Sequence, residues 1–187
     1  MDLKPKITLK KKGDSATIPV KNLIATLSWT AAVDLDLYAF YRAKQTIKSK
    51  GGFLGFGGVK PGQEGKAYFG SRGKLNKFPW MQLDQDSGVG DQGGTNEENL
   101  RIVNLDEVDY VLIVANIFNK SDANFSDYDG KVSIKTDSDK RFEIPLTANT
   151  GGNWCIIARI DNTNPVNAKL INVNKAQAEE PTISQFS

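Results

Sequence analysis

The chain contains no histidine and a single cysteine, Cys155. The first absence removes the His-dependent catalytic triads, His general bases and His-containing zinc sites together. The second excludes an internal disulfide, a four-cysteine zinc site and most iron–sulfur ligation, and it fits a reducing compartment. No apolar run approaches the roughly 18–20 residues of a membrane-spanning helix. The opening segment, MDLKPKITLKKKGD, has no apolar signal core, so no secretory signal is read. The expectation is a cytoplasmic protein with no transmembrane segment. Any metal chemistry has to be oxygen chemistry. A long amphipathic helix is also missing, and so is an internal repeat. With 187 residues the chain suits one domain, or one domain and a tail.

What the sequence has instead is a succession of short extended segments. Leu23–Trp29 (LIATLSW), Leu100–Leu105 (LRIVNL), Lys131–Lys135, Arg141–Leu146, Trp154–Ile160 and Ala168–Val173 read as strands separated by polar and glycine-containing turns. Tyr110–Phe118 (YVLIVANIF) is the most apolar run, β-branched and too short for a typical buried helix, so it is expected to be a central strand. In Val33–Phe40 (VDLDLYAF) the period of two places Val33, Leu35 and Leu37 on one face and Asp34, Asp36 and Tyr38 on the other. The predicted fold is all-β, a sandwich of two mainly antiparallel sheets with long loops. It is expected to span residues 1–175, with 176–187 a frayed tail that lacks a pattern.

The net charge of +2 hides an asymmetry. From Arg42 to Lys77 there are nine Lys/Arg against one acid, Glu64; from Asp84 to Asp109 there are eight acids against one base, Arg101. The basic segment holds GGFLGFGG (51–58), which fails both phosphate-loop patterns. Lys60 stands where the first glycine of Gly-x4-Gly-Lys is needed, and again where the last glycine of Gly-x-Gly-x-x-Gly is needed. No nucleic-acid motif accompanies it, and no nucleic-acid partner is expected.

The acidic stretch Leu83–Leu100, LDQDSGVGDQGGTNEENL, contains Asp84, Asp86, Asp91, Glu97 and Glu98 with Asn96, Asn99 and four glycines. Crowded carboxylates repel one another unless a cation neutralises them. Carboxylate and amide oxygens on a glycine-permitted loop suit Ca²⁺, which takes six to eight oxygens at roughly 2.3–2.6 Å. Asp34 and Asp36 are a second carboxylate pair for the same ion. The EF-hand template does not apply: counting from Asp84, its sixth position is Val89 and its twelfth is Thr95. Paired carboxylates also serve glycosidases, and a calcium-dependent module binding membranes or anions is a further alternative. Cys155, beside Trp154 in an apolar strand, is expected to be buried and inert.

Leu27-Ser-Trp29, Asp34-Leu-Asp36-Leu-Tyr-Ala-Phe40, Asp84-Gln-Asp-Ser-Gly88 and Asn96-Glu-Glu-Asn-Leu100 occur in this order. Together they resemble the TerD domain of tellurium-resistance and general stress proteins, over roughly Ile7–Lys175. The family reads LxW, DLDxxAF and GDNxTGxGxGDDExI, then an apolar strand and a loop with NF, here Asn124-Phe125. The resemblance implies a non-enzymatic, calcium-binding β-sandwich holding one or two Ca²⁺. The ligands carried over by position are Asp34, Asp36, Asp84, Asn96, Glu97 and Glu98, with backbone carbonyls completing the shells. The family's first Asp of DDE is Asn96 here, which removes a charge that Asp86 and Asp91 are placed to restore. The implied partners are other stress-response proteins, with the inner membrane surface as a candidate place of action.

Overall fold

In the computed structural model the described residues are 6–18, 21–45, 59–84, 94–118, 124–149, 151–164, 166 and 168–186. Thirteen strands are formed among them: β1 Lys6–Thr8, β2 Ser15–Thr17, β3 Leu23–Trp29, β4 Leu35–Ala43, β5 Glu64–Ala67, β6 Gly73–Lys74, β7 Met81–Leu83, β8 Asn96–Ile102, β9 Val108–Ile117, β10 Lys131–Thr136, β11 Arg141–Pro145, β12 Trp154–Asp161 and β13 Lys169–Gln177. One sheet runs β1-β11-β10-β3-β8-β7-β6 and the other β2-β13-β12-β9-β4-β5. All pairings are antiparallel except β1 with β11. The all-β sandwich expected from the sequence is the fold found.

Alternation explains how the first sheet meets the second. In β3, Leu23, Ala25, Leu27 and Trp29 are buried while Ile24 is exposed. They face Leu35, Leu37, Ala39, Val111, Ile113 and Ala115 of the second sheet in one continuous core. Burying each such aliphatic side chain contributes roughly 1.5–3 kcal/mol relative to exposure. Buried polar groups in this core are satisfied. The Asn162 amide donates to the carbonyls of Leu105 (2.7 Å) and Val108 (3.1 Å). Asn172 donates to the Leu9 carbonyl at 2.9 Å, and so ties the N-terminal segment to β13.

Strand β9 does not alternate. From Val111 to Ile117 every residue is buried, because it is central, between β12 and β4, and covered on both faces. Its outward side chains Leu112 and Val114 join Tyr38, Phe40 and Ile156 in a second apolar layer outside the sandwich. That layer is closed by the C-terminal segment. Here the structure departs from the frayed tail expected for 176–187. β13 continues to Gln177, and a 3₁₀ turn at Ile183–Gln185 lays Ile183 on the layer. The turn has a capping box, with the side chains of Thr182 and Gln185 each bonded to the other's backbone. Lys66 pairs with Glu180 at 2.7 Å, and Arg159 donates to the Phe186 carbonyl.

A second departure concerns the acidic stretch. Asn96, Glu97, Glu98 and Asn99 are expected in a loop, but β8 begins at Asn96. The pairing Trp29↔Asn96, Ser28↔Glu97, Leu27↔Glu98 and Thr26↔Asn99 continues the β3–β8 ladder through them. The ladder, together with the Thr26 hydroxyl donated to Asn99 at 2.6 Å, overrides weak strand propensity.

Candidate functional site

Asp34 and Asp36 are delivered by a fixed turn. The indole N–H of Trp29, at the end of β3, donates to the carbonyl of Val33 at 2.7 Å, and the Val33 amide donates to the Ala31 carbonyl. The chain then enters β4 with Val33, Leu35 and Leu37 turned into the core. Asp34 is exposed at the rim; Asp36 is buried, only 8% exposed. This is the alternation expected from the sequence.

Beside Asp36, among the described residues, one edge of β4 carries no strand: β5 pairs with it only from Ala39 to Arg42. Glu98 fills this gap from the other sheet. It lies on β8 on the same face as buried Leu100 and Ile102, and its Oε2 accepts the Leu37 backbone N–H at 2.5 Å. The carboxylate of one sheet therefore holds the backbone of the other, one residue from Asp36. Such a charge-assisted bond is stronger than one between neutral groups.

A layer of aromatic rings borders this corner. The Tyr38 ring stacks on Tyr68 at 5.7 Å and meets Trp154 edge-on at 4.9 Å and Phe69 at 6.3 Å. Burial raises the Tyr38 hydroxyl pKa far above its ordinary value, and the charges of Asp36, Glu180 and Glu98 add to the shift. The field of three carboxylates from β4, β8 and the C-terminal segment therefore converges on one phenol. The sequence reading missed the aromatic layer and Glu180. Tyr38 and Phe40 follow Asp36 at alternate positions, so the outward face of β4 turns apolar after Asp36. That pattern is the one signal that could have found the layer.

Strand alternation separates the remaining expected ligands. Asn96 shares the inward side of β8 with Glu98, whereas Glu97 lies on the outward side with Asn99 and Arg101. Asp84 is also outward. Its amide donates to the Asn99 carbonyl at 2.9 Å, and its Oδ1 is 3.3 Å from Arg101 Nε. The structure thus brings Glu98 beside Asp36 at the β4 edge, with Asn96 on the same side of β8, and sets Asp84 and Glu97 on the opposite face of β8. Asp86 and Asp91 lie outside the described residues. Among the described residues no three Asp, Glu or Cys side chains converge as a ready-made cation cage. The donor set at the corner is all oxygen, which suits a hard cation.

Cys155 is buried, as expected, and burial pushes its thiol well above the usual range. No helix among the described residues is long and apolar enough to cross a membrane.

No protein-family model matches the chain, and no curated protein is significantly similar to it. Among solved structures it is similar to a homologue of the telluride resistance protein TerD from Streptomyces coelicolor A3(2). The identity is 14%, the TM-score 0.54, and the match covers 87% of this chain and 93% of that one. The chain has a TerD-like fold. It is also similar to SAV2460, a protein of unknown function, at 12% identity and a TM-score of 0.55 over 90% of this chain and 95% of that one. The TerD resemblance read from the motifs and the likeness of fold point the same way.

Proposed function

We propose that this chain is a divergent, non-enzymatic member of the TerD family, a cytoplasmic stress-response protein of the tellurium-resistance type. It binds Ca²⁺ at the corner between β4 and β8 and presents the ordered corner to a partner protein. The observation that carries the reading is the Glu98 carboxylate crossing between the sheets to the Leu37 amide, beside Asp36. A cation here would be held by Asp34, Asp36, Asn96 and Glu98, with Asp86 and Asp91 as further candidate ligands. Bound calcium supplies positive charge that cancels the repulsion of these carboxylates. The corner residues do the positioning: Trp29 fixes the turn into Asp34, and the Leu37 amide orients Glu98. TerD-like fold, motif order and an all-oxygen donor set support the reading together.

The test is calorimetric titration of chelator-stripped protein with Ca²⁺, using Mg²⁺ as control. Saturable uptake of one or two Ca²⁺ with a weak Mg²⁺ response is expected. Calcium at a hundredfold excess over Kd should stabilise the fold by about 2.7 kcal/mol. Asp36→Asn with Glu98→Gln should abolish that gain. Asp84→Asn should leave most of it, because Asp84 is engaged by Arg101 on the other face. An undiminished calcium response in the double variant sinks the ligand assignment.

A further inference from the structure

The basic half of the charge asymmetry has its own site, separate from the acidic corner. At the end of the first sheet, β6 is a strand of two residues that among the described residues pairs with β7 alone. A cavity of about 530 Å³, open to solvent, is lined there by Arg72, Gly73, Lys74, Leu75, Asn76 and Gln82. Among the described residues no carboxylate lines it. Among the described residues neither Arg72 nor Lys74 forms an ion pair, whereas Arg42 is held by Glu64, Lys44 by Asp109, Lys66 by Glu180 and Arg101 by Asp84. The basic residues of 42–77 are therefore not uniformly solvated surface. Three are paired with carboxylates, and two more, Arg72 and Lys74, are left uncompensated in one concavity.

Gly73 has φ +82°, and a Cβ there would lie 2.2 Å from the Met81 carbonyl oxygen. A guanidinium, an ammonium and two side-chain amides line one hollow. Arg72 offers the planar fork that matches a phosphate edge, and Lys74 offers a point charge.

We propose that the Arg72–Asn76 concavity binds a phosphate-bearing ligand, independently of the calcium corner. The probe is pyrophosphate, titrated into the full chain in chelating buffer at low salt and followed by ¹H–¹⁵N NMR. Chelation keeps the result separate from the calcium reading. Saturable shifts are expected at the amides of Arg72–Asn76 and at the Gln82 side chain. R72Q/K74Q, both at exposed positions, should stay folded and weaken binding by at least about tenfold. K10Q/K12Q, which removes the same charge elsewhere, should change it by less than about twofold. Co-sedimentation with phosphatidic acid vesicles, against phosphatidylcholine vesicles, identifies the source of the phosphate. Arg72- and Lys74-dependent vesicle binding without pyrophosphate saturation assigns it to a lipid headgroup, and the reverse to a soluble ligand. Equal loss in both double variants, or no Arg72/Lys74-dependent binding in either arm, overturns the proposal.

Discussion

The two outward faces of the sandwich are opposites. The first sheet turns Thr26, Ser28, Glu97, Asn99, Arg101, Lys131, Ser133, Lys135 and Glu143 to solvent, with Ile24 a large aliphatic among them. The second turns out Tyr38, Phe40, Leu112, Val114 and Ile156, and needs a cover. Both sheets obey the same period of two. The difference lies in what meets the outward face: water in one case, the chain's own last residues in the other. An antiparallel sheet normally has one solvated face and reads as alternating. Where a strand reads as continuously apolar, as β9 does, a second layer has to exist.

The strongest test of this contrast is a matched pair of substitutions. Ile183→Asp places a carboxylate on the covered layer, where Ile183 is 2% exposed, while Ile24→Asp alters a residue that is 39% exposed. Ile183→Asp should cost at least about 3 kcal/mol in urea unfolding, combining lost burial with an unpaired charge. Ile24→Asp should stay within roughly 0.5 kcal/mol of the parent, as surface changes usually do. Equal costs would mean the C-terminal segment is not part of the cooperative fold.

A finer pair lies within one strand. Glu97 and Glu98 are adjacent on β8 but face opposite ways, and only Glu98 bonds the Leu37 amide. In chelating buffer, Glu98→Ala should cost about 1–3 kcal/mol, because it leaves a backbone donor at the β4 edge without its acceptor. Glu97→Ala should cost less than about 0.5 kcal/mol. Thermal unfolding of the two variants side by side is sufficient. A Glu98→Ala loss as small as that of Glu97→Ala would show that the inter-sheet bond adds nothing to the fold.

These contrasts also mark how far the sequence could be read. Strands β3, β9, β10, β11 and β12 were legible, since their apolar pattern is set by burial, and so was the facing of Asp34 and Asp36. The TerD-like fold followed from motif order. The facing of Asn96, Glu97 and Glu98 was not legible, because glycine and acid content suggested loop where the β3 ladder imposes strand. The C-terminal cover was hidden for a related reason. Pro181, Ile183 and Phe186 have no helical or strand spacing, and Ile183 and Phe186 settle on a surface built from β4, β9, β12 and β13. Nor could composition separate the compensated from the uncompensated cations of 42–77, because their partners Glu64, Asp109 and Glu180 are chosen by tertiary structure.

The smallest expected effect belongs to the solvated face and depends on pH. Glu143 on β11 is partly buried, which by itself would raise its pKa. The ammonium groups of Lys6 at 3.1 Å and Lys131 at 3.4 Å outweigh burial and hold it below the usual carboxylate value. A carboxyl lowered in the folded state stabilises the fold above its unfolded pKa, and that contribution disappears as pH falls through the folded value. The parent should therefore exceed Glu143→Gln in stability at pH 7, by no more than about 1 kcal/mol because both lysines are substantially exposed and screened by salt. The gap should narrow as pH falls below the ordinary carboxylate range and shrink in high salt. Melting curves at several pH values and two salt concentrations test this. A gap that persisted in acid would assign the role of Glu143 to packing instead of charge, and would make the two outward faces less different than their residues imply.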